Sequence, residues 1–296
     1  MIHKFLRAVG FSKVTTKRQL RDLITLSIKK AKEKSYTTGS EEDSLFSEFN
    51  MEFGERIGIT VRGEYDENNH FTFEYYFPYF KGEVISSTED LSIERQAAME
   101  AYLGVCDELR IGITLIFYVQ NAIPYIRAKN AGLLPIKGTT LTLSALALSG
   151  KILLPSYRGV GEKIAARKES MERTTLMQAA KNGNEDAIET LTMRDMDIYA
   201  AVNRRIKDSD VYSIVNSTFM PYGIECDEYS ILGEIKDIHE TENRVTREKV
   251  ILLQLACNDI MFDVCINKLD LIGEPMIGRR FKGIVWMQGH INFPEE

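Results

Sequence analysis

The stretch 110–155, RIGITLIFYVQNAIPYIRAKNAGLLPIKGTTLTLSALALSGKILLP, restricts the chain to few folds. Ile111, Ile113, Leu115, Phe117 and Val119 recur every second residue, as do Leu141, Leu143, Ala145 and Ala147, and that period is a strand's. The alternate positions (Gly112, Thr114, Ile116, Tyr118; Thr142, Ser144, Leu146, Leu148) are also uncharged. Strands without charge on either face belong inside a sheet covered on both sides. The two pieces, 110–120 and 139–148, are expected as a central pair, joined by a segment that turns at Pro124 and at Asn130-Ala131-Gly132.

The rest of the chain arranges itself around this pair. Thr16 and Gln19 make a capping-box pattern, and Leu20, Leu23, Ile24, Ser27, Ile28 and Ala31 mark one helical face. A helix over 16–34 is expected, with its lysines in the C-terminal turns where the dipole favours cations. From Leu45 the period becomes two, although 45–53 also suits a helix. The runs 57–65 and 71–80 face each other across Asp66-Glu67-Asn68-Asn69, and 91–95 adds an edge strand. These elements make an α+β class: an antiparallel or mixed sheet with a packed N-terminal helix.

Beyond Pro155 the composition turns polar. Ser156–Ser170 reads as a linker, and Gly159-Val160-Gly161 lacks phosphate-loop spacing. Residues 174–191 read as a helical hairpin stopped at Gly183 and restarted by Asn184, like one ankyrin unit without its repeats. A further helix over 195–206 and a short helix or extended piece from Asp210 follow. Four strands, near 229–238, 250–257, 260–266 and 281–291, suggest a small twisted sheet or partly closed barrel of OB-like type. The expected division is 1–155, an α+β sheet domain; 156–222, a helical linker or hairpin; and 223–296, a small β domain.

The pieces FMPYG (219–223), YSILGEI (229–235), FKGIVWMQG (281–289) and GVCDELRIGITLIFYVQN (104–121) resemble an uncharacterised family from anaerobic Gram-positive gut bacteria. The resemblance covers nearly the whole chain. It implies a cytoplasmic bacterial protein of unknown function and brings no catalytic residues with it.

Composition narrows the function classes. The 296 residues are 44% hydrophobic and 27% charged, an ordinary globular balance. The net charge of −6 gives neither nucleic acid nor anionic membrane an electrostatic advantage. Residues 1–40 carry ten Lys/Arg against two Asp/Glu, and residues 41–110 five against seventeen. Such blocks pair within the fold, across a dimer, or with a partner. Met1–Gly10 lacks a signal peptide's apolar region, and no uncharged run reaches bilayer length. Cys106, Cys226, Cys257 and Cys265 are too scattered for a disulfide scaffold and read as free thiols.

Two clusters are candidates for binding. Glu74, Tyr76 and Phe80 share a strand face, and an exposed aromatic–acidic patch would suit a protein, a sugar or a cation. As a stacking platform for bases it would be opposed by Glu64, Asp66, Glu67 and Glu83, which repel phosphate. Arg279, Arg280, Lys282, Trp286 and His290 form the second cluster, though Trp286 equally suits a core plug of the barrel.

No catalytic motif is present. The four histidines are isolated, and no cysteine pair has zinc spacing, so no metal and no cofactor are expected. Cys106 is flanked by Asp107 and Glu108, which oppose a reactive thiolate. Glu64 and Glu74 with Asp107-Glu108 could supply an acid/base pair. The expected function is a non-catalytic cytoplasmic protein acting through protein–protein contacts, as a homo-oligomer or with another protein. One alternative is an enzyme or small-ligand binder with a pocket between domains; another is nucleic-acid binding by the OB-like domain together with the lysine-rich helix.

Overall fold

The computed structural model describes residues 2–38, 44–96, 101–134, 138–155, 160–205, 217–224 and 226–294. A 3-10 turn, Lys4–Val9, leads into α1 (Lys17–Lys30), which has the expected capping box: Thr16 accepts from the Gln19 N–H and Gln19 from the Thr16 N–H. The chain then makes β1 (Glu33–Thr38), β2 (Leu45–Glu52), β3 (Ile57–Tyr65) and β4 (Phe71–Phe80), followed by β5 (Leu91–Gln96), β6 (Ala101–Glu108) and β7 (Ile113–Val119). After α2 (Ala122–Asn130) comes β8 (Thr140–Leu153), then α3 (Val160–Lys181) and α4 (Glu185–Arg205). The last part is β9 (Thr218–Pro221), β10 (Glu228–Glu242), β11 (Lys249–Cys257), β12 (Ile260–Asn267), β13 (Leu271–Ile272) and β14 (Arg280–Asn292).

Among the described residues the strands form two sheets. The first is antiparallel, in the order β1-β2-β3-β4, and α1 lies on its β2 and β3. In the second, β8, β12, β11, β10 and β14 close on themselves, with β8 parallel to β12 and antiparallel to β14. The strands β7, β6 and β5 continue outward from β14. The α+β class therefore holds, with strand dominating helix.

Several expectations change in detail. The oily strands β7 and β8 do not pair with each other; both pair with β14. The hydrogen-bonded barrel takes β8 from before Pro155 and its other strands from after residue 222, so it crosses both expected boundaries. The segment between the oily strands is helical: Pro124 sits in the first turn of α2, where a missing N–H costs no intrahelical bond. Of the further helix expected over 195–206, the residues up to Arg205 continue α4 rather than starting a new helix, and helix α3 begins at Val160 inside the expected linker. The piece from Asp210 lies outside the described residues.

The two-faced pattern has a plain cause. Leu141, Leu143, Ala145 and Ala147 of β8 join Ile231, Leu253, Val264, Phe281 and Met287 in one core cluster. Leu146 belongs to a second cluster, with Val250, Leu252, Cys265 and Trp286 from the barrel, Phe5, Leu6 and Val9 from the 3-10 turn, and Phe49, Ile59 and Phe77 from the first sheet. Both faces of the barrel wall are thus buried. The 3-10 turn fills the seam, and the barrel satisfies its carbonyls: Cys265 Sγ donates to Ala8 O at 3.3 Å, Asn243 Nδ2 to Val9 O at 2.9 Å and Asn267 Nδ2 to Arg7 O at 3.2 Å. Lys4 and Arg7 pair with Glu228 and Asp270, so these two basic residues meet the C-terminal part rather than the acidic 41–110 block.

Candidate functional site

The site expected on β4 does not form as a surface. The strand is exposed at Thr72–Glu74, but everything from Tyr76 to Phe80 is buried under the 3-10 turn and the barrel. The Tyr76 hydroxyl accepts from the His3 N–H at 2.7 Å. The edge carbonyls of β4 are covered by the barrel: Gln288 Nε2 donates to Pro78 O at 2.9 Å, and Gln120 Nε2 and Ser144 Oγ donate to Phe80 O at 2.8 and 2.6 Å. This protects a sheet edge from a stray strand. Glu74 alone stays on the surface.

The second cluster also disperses. Trp286 points outward from the barrel wall into the seam, stacked on Phe5 at 5.4 Å between ring centroids, and its indole N–H donates to Asp227 Oδ2 at 2.7 Å. It plugs the space between barrel and first sheet, not the barrel interior. Arg280 is buried, with Nε on Leu154 O at 2.9 Å, while half-buried Arg279 donates to Glu274 O. His290 is at the surface beside Asn121. Only Tyr76 and Trp286 come together, on either side of His3, at 6.3 and 4.8 Å.

His3 has its own consequence. Its Nδ1 accepts from the Phe5 N–H, and burial, reinforced by Lys4, pulls the imidazole down to about 4. The unfolded chain titrates near 6.5, so between about pH 6.5 and 4 it binds the extra proton and stability rises with pH. The folded state is therefore expected to lose stability as pH falls through this window. His3→Asn, which keeps an acceptor without titrating, should flatten that limb in urea melts at pH 7 and 4.5; an unchanged limb would place the loss elsewhere.

Of the ionisable groups considered for chemistry, Glu108 and Cys106 are held in structural roles. Glu108 is buried and clamped by Arg110 Nε and NH2, each at 2.7 Å, and lies in the second sheet, apart from Glu64 and Glu74 in the first. Burial, assisted by nearby carboxylates, pushes the Cys106 thiol up to about 11, against a weak contact with Ser87. Cys257 and Cys265 are buried as well, and Cys226 is exposed. Among the described residues no group of three or more His, Cys, Asp or Glu is placed to hold a metal ion.

One crevice draws charge together. Where the β2–β3 turn meets the barrel, Arg56, Glu83, Asp237, His239, Gln254 and Asp263 line a space of about 210 Å³ that includes open solvent. Arg56 is held at φ 63°, a left-handed conformation rare for its type. Its Nε donates to Lys81 O at 2.8 Å, its NH1 pairs with Glu83 at 2.8 Å, and its NH2 meets Asp263. Burial raises the Asp263 carboxyl, while the Glu83 N–H and Arg56 pull it back. Each arm of the guanidinium is engaged, so the strained turn works as a clamp between sheet and barrel.

The surface that remains unexplained is on the helical hairpin, α3 and α4. Gly183 turns at φ 84° and Asn184 Oδ1 accepts from the Ala187 N–H, as expected. Ala187 is buried and Leu191 half-buried, and Arg194 pairs with Glu172 of α3 at 3.4 Å. On the other side of α4, Ile188, Met193 and Met196 are 48%, 63% and 69% exposed, and Met171 of α3 is 68% exposed. The signal for this second stripe was in the sequence as methionines three residues apart, beside the stripe that faces α3.

A family model described as "Domain of unknown function, E. rectale Gene description (DUF3881)" matches residues 6–289. The chain belongs to DUF3881. That agrees with the resemblance to an uncharacterised gut-bacterial family. No curated protein and no solved structure matches this DUF3881 chain. No helix among the described residues is long and apolar enough to cross a membrane.

Proposed function

We propose that this DUF3881 protein is a non-catalytic, cytoplasmic protein that acts by protein–protein contact through its α3–α4 hairpin. The observation that carries this is the exposed apolar stripe Ile188–Met193–Met196 on a helix whose opposite stripe is already packed. A two-striped helix leaves one face for a partner, and methionine suits such faces because its side chain adapts and is polarizable. Capture on immobilised chain tests it. Wild type should retain a specific protein, and Met193→Glu with Met196→Glu should lose at least about tenfold of that binding. Retention by the double variant equal to wild type would contradict the proposal.

A second reading concerns the barrel. What supports an OB-like reading is its adjacency, β10-β11-β12, then β8 parallel to β12, then β14 between β8 and β10, the order expected of an OB fold with its last strand moved to the front of the chain. The length of β10, which pairs β14 with its first half and β11 with its second around an irregularity between Ile235 and Asp237, supports it. OB folds bind oligonucleotides on the face corresponding to β11 and β12. Here Val250, Leu252 and Cys265 of that face lie under the 3-10 turn, which argues against nucleic acid as ligand.

A further inference from the structure

We infer that the first sheet carries a binding site of its own, for a small ligand with a primary ammonium group, centred on the Tyr79 hydroxyl. Pairing across the strands sets Glu52, Gly58 and Tyr79 in one row and Glu33, Asn50 and Thr60 in the next, all on one face. Tyr79 is 3% exposed, and its hydroxyl is the single buried side-chain polar atom without a hydrogen-bond partner among the described residues. Buried polar atoms in folded proteins are nearly always partnered. Gly58 shows where this one points: a Cβ there would stand 2.5 Å from the hydroxyl oxygen and 2.4 Å from Met51 O. The ring therefore lies across β3, with its hydroxyl turned towards β2 and Glu52. Burial, reinforced by Glu52, Glu33 and Glu48, holds the phenol well above its ordinary range, so it stays neutral.

The charges around it do not balance. Glu48 is taken by Arg62 at 2.8 Å, whereas Glu33 and Glu52 share the ammonium of Lys81, at 3.0 and 3.7 Å. One negative charge is left over among these groups. The Lys81 ammonium also lies 5.8 Å from the centre of the Tyr79 ring, within cation–π range, so the chain's own side chain shows which kind of cation this face accepts. A metal ion fits less well, because among the described residues no three His, Cys, Asp or Glu converge on one point. A second ammonium, donating to Glu33, Glu52 and the Tyr79 oxygen, balances the charge and gives the hydroxyl its partner. Glu33 is exposed and Lys81 half-buried on a flexible stem, so the lysine is the lid that swings aside to admit it.

Calorimetric titration of the full chain with butylammonium chloride, at constant ionic strength, tests the site. Wild type should saturate at one ligand per chain with Kd below about 10 mM. Tyr79→Phe keeps the ring and removes the hydroxyl. It should bind at least about tenfold more weakly, yet melt no lower than wild type, because it loses an unpartnered group rather than a bond. Lys81→Met leaves both rim carboxylates without their cation and should bind about tenfold more tightly. Tetramethylammonium, which has the charge but no N–H to donate, should not compete. The site is overturned by absence of saturation in both wild type and Lys81→Met, by Tyr79→Phe binding as wild type does, or by tetramethylammonium competing equally. A Tyr79→Phe chain that melts lower than wild type, or a Lys81→Met chain that binds no more tightly, counts against it in the same way.

Discussion

Arg62→Met is expected to lower folding stability by about 3–5 kcal/mol, the cost of breaking a buried ion pair from one side. The Arg62 side chain is fully buried. Its Nε donates to Glu48 Oε2 at 2.8 Å, and its terminal nitrogens donate to Tyr118 OH at 3.1 Å and to the carbonyls of Val119 and Gln120 at 3.4 and 3.1 Å. The guanidinium also lies 4.7 Å over the Phe77 ring. One residue of the first sheet thus fastens the end of β7. Methionine keeps most of the volume but strands Glu48, itself buried, without its cation. Adding Glu48→Leu should recover most of the loss, since removing both charges removes the unpaired one. Urea titration measures both; an Arg62→Met loss below about 1 kcal/mol would mean that water reaches Glu48.

Phe117→Ala should cost a similar amount, about 3–5 kcal/mol, for a large aromatic lost from a packed core. The Phe117 ring fills the space left by two glycines: a Cβ built on Gly104 of β6 would stand 2.1 Å from it, and one on Gly289 of β14 2.3 Å. The ring is therefore the joint at which the outer strands attach to the barrel. Gly289→Ala should cost about 1–3 kcal/mol by overpacking in wild type. In the Phe117→Ala background that cost should shrink, because the clashing ring is gone. Strict additivity of the two substitutions would show that the ring and the glycine are not in contact.

What could be read from the sequence was local. The Thr16–Gln19 cap and the 57–65/71–80 hairpin are decided by residues a few positions apart, and both stand as expected. Strand β1 was hidden because EKSYTT is polar and continues a lysine-rich helix, as an edge strand often does. Helix α2 was hidden because Pro124 signals a turn unless one knows that it falls in a first helical turn. Barrel closure was hidden for a different reason. Which strand lies beside β8 depends on β12 and β14, more than a hundred residues away, and no local pattern encodes that pairing. The same holds for the candidate sites: the pattern puts Tyr76 and Phe80 on an outer strand face and leaves Trp286 open between a binding cluster and a core plug, and it is the 3-10 turn and the barrel that bury all three.

A photo-crosslinking side chain placed at position 192, between Ile188 and Met196 on the exposed side of α4, or at Gln254 in the Arg56 crevice, asks directly which surface the protein uses inside the cell. Protein adducts from position 192 and none from position 254 are predicted. Adducts from position 254 alone would contradict the hairpin and return the function to the crevice.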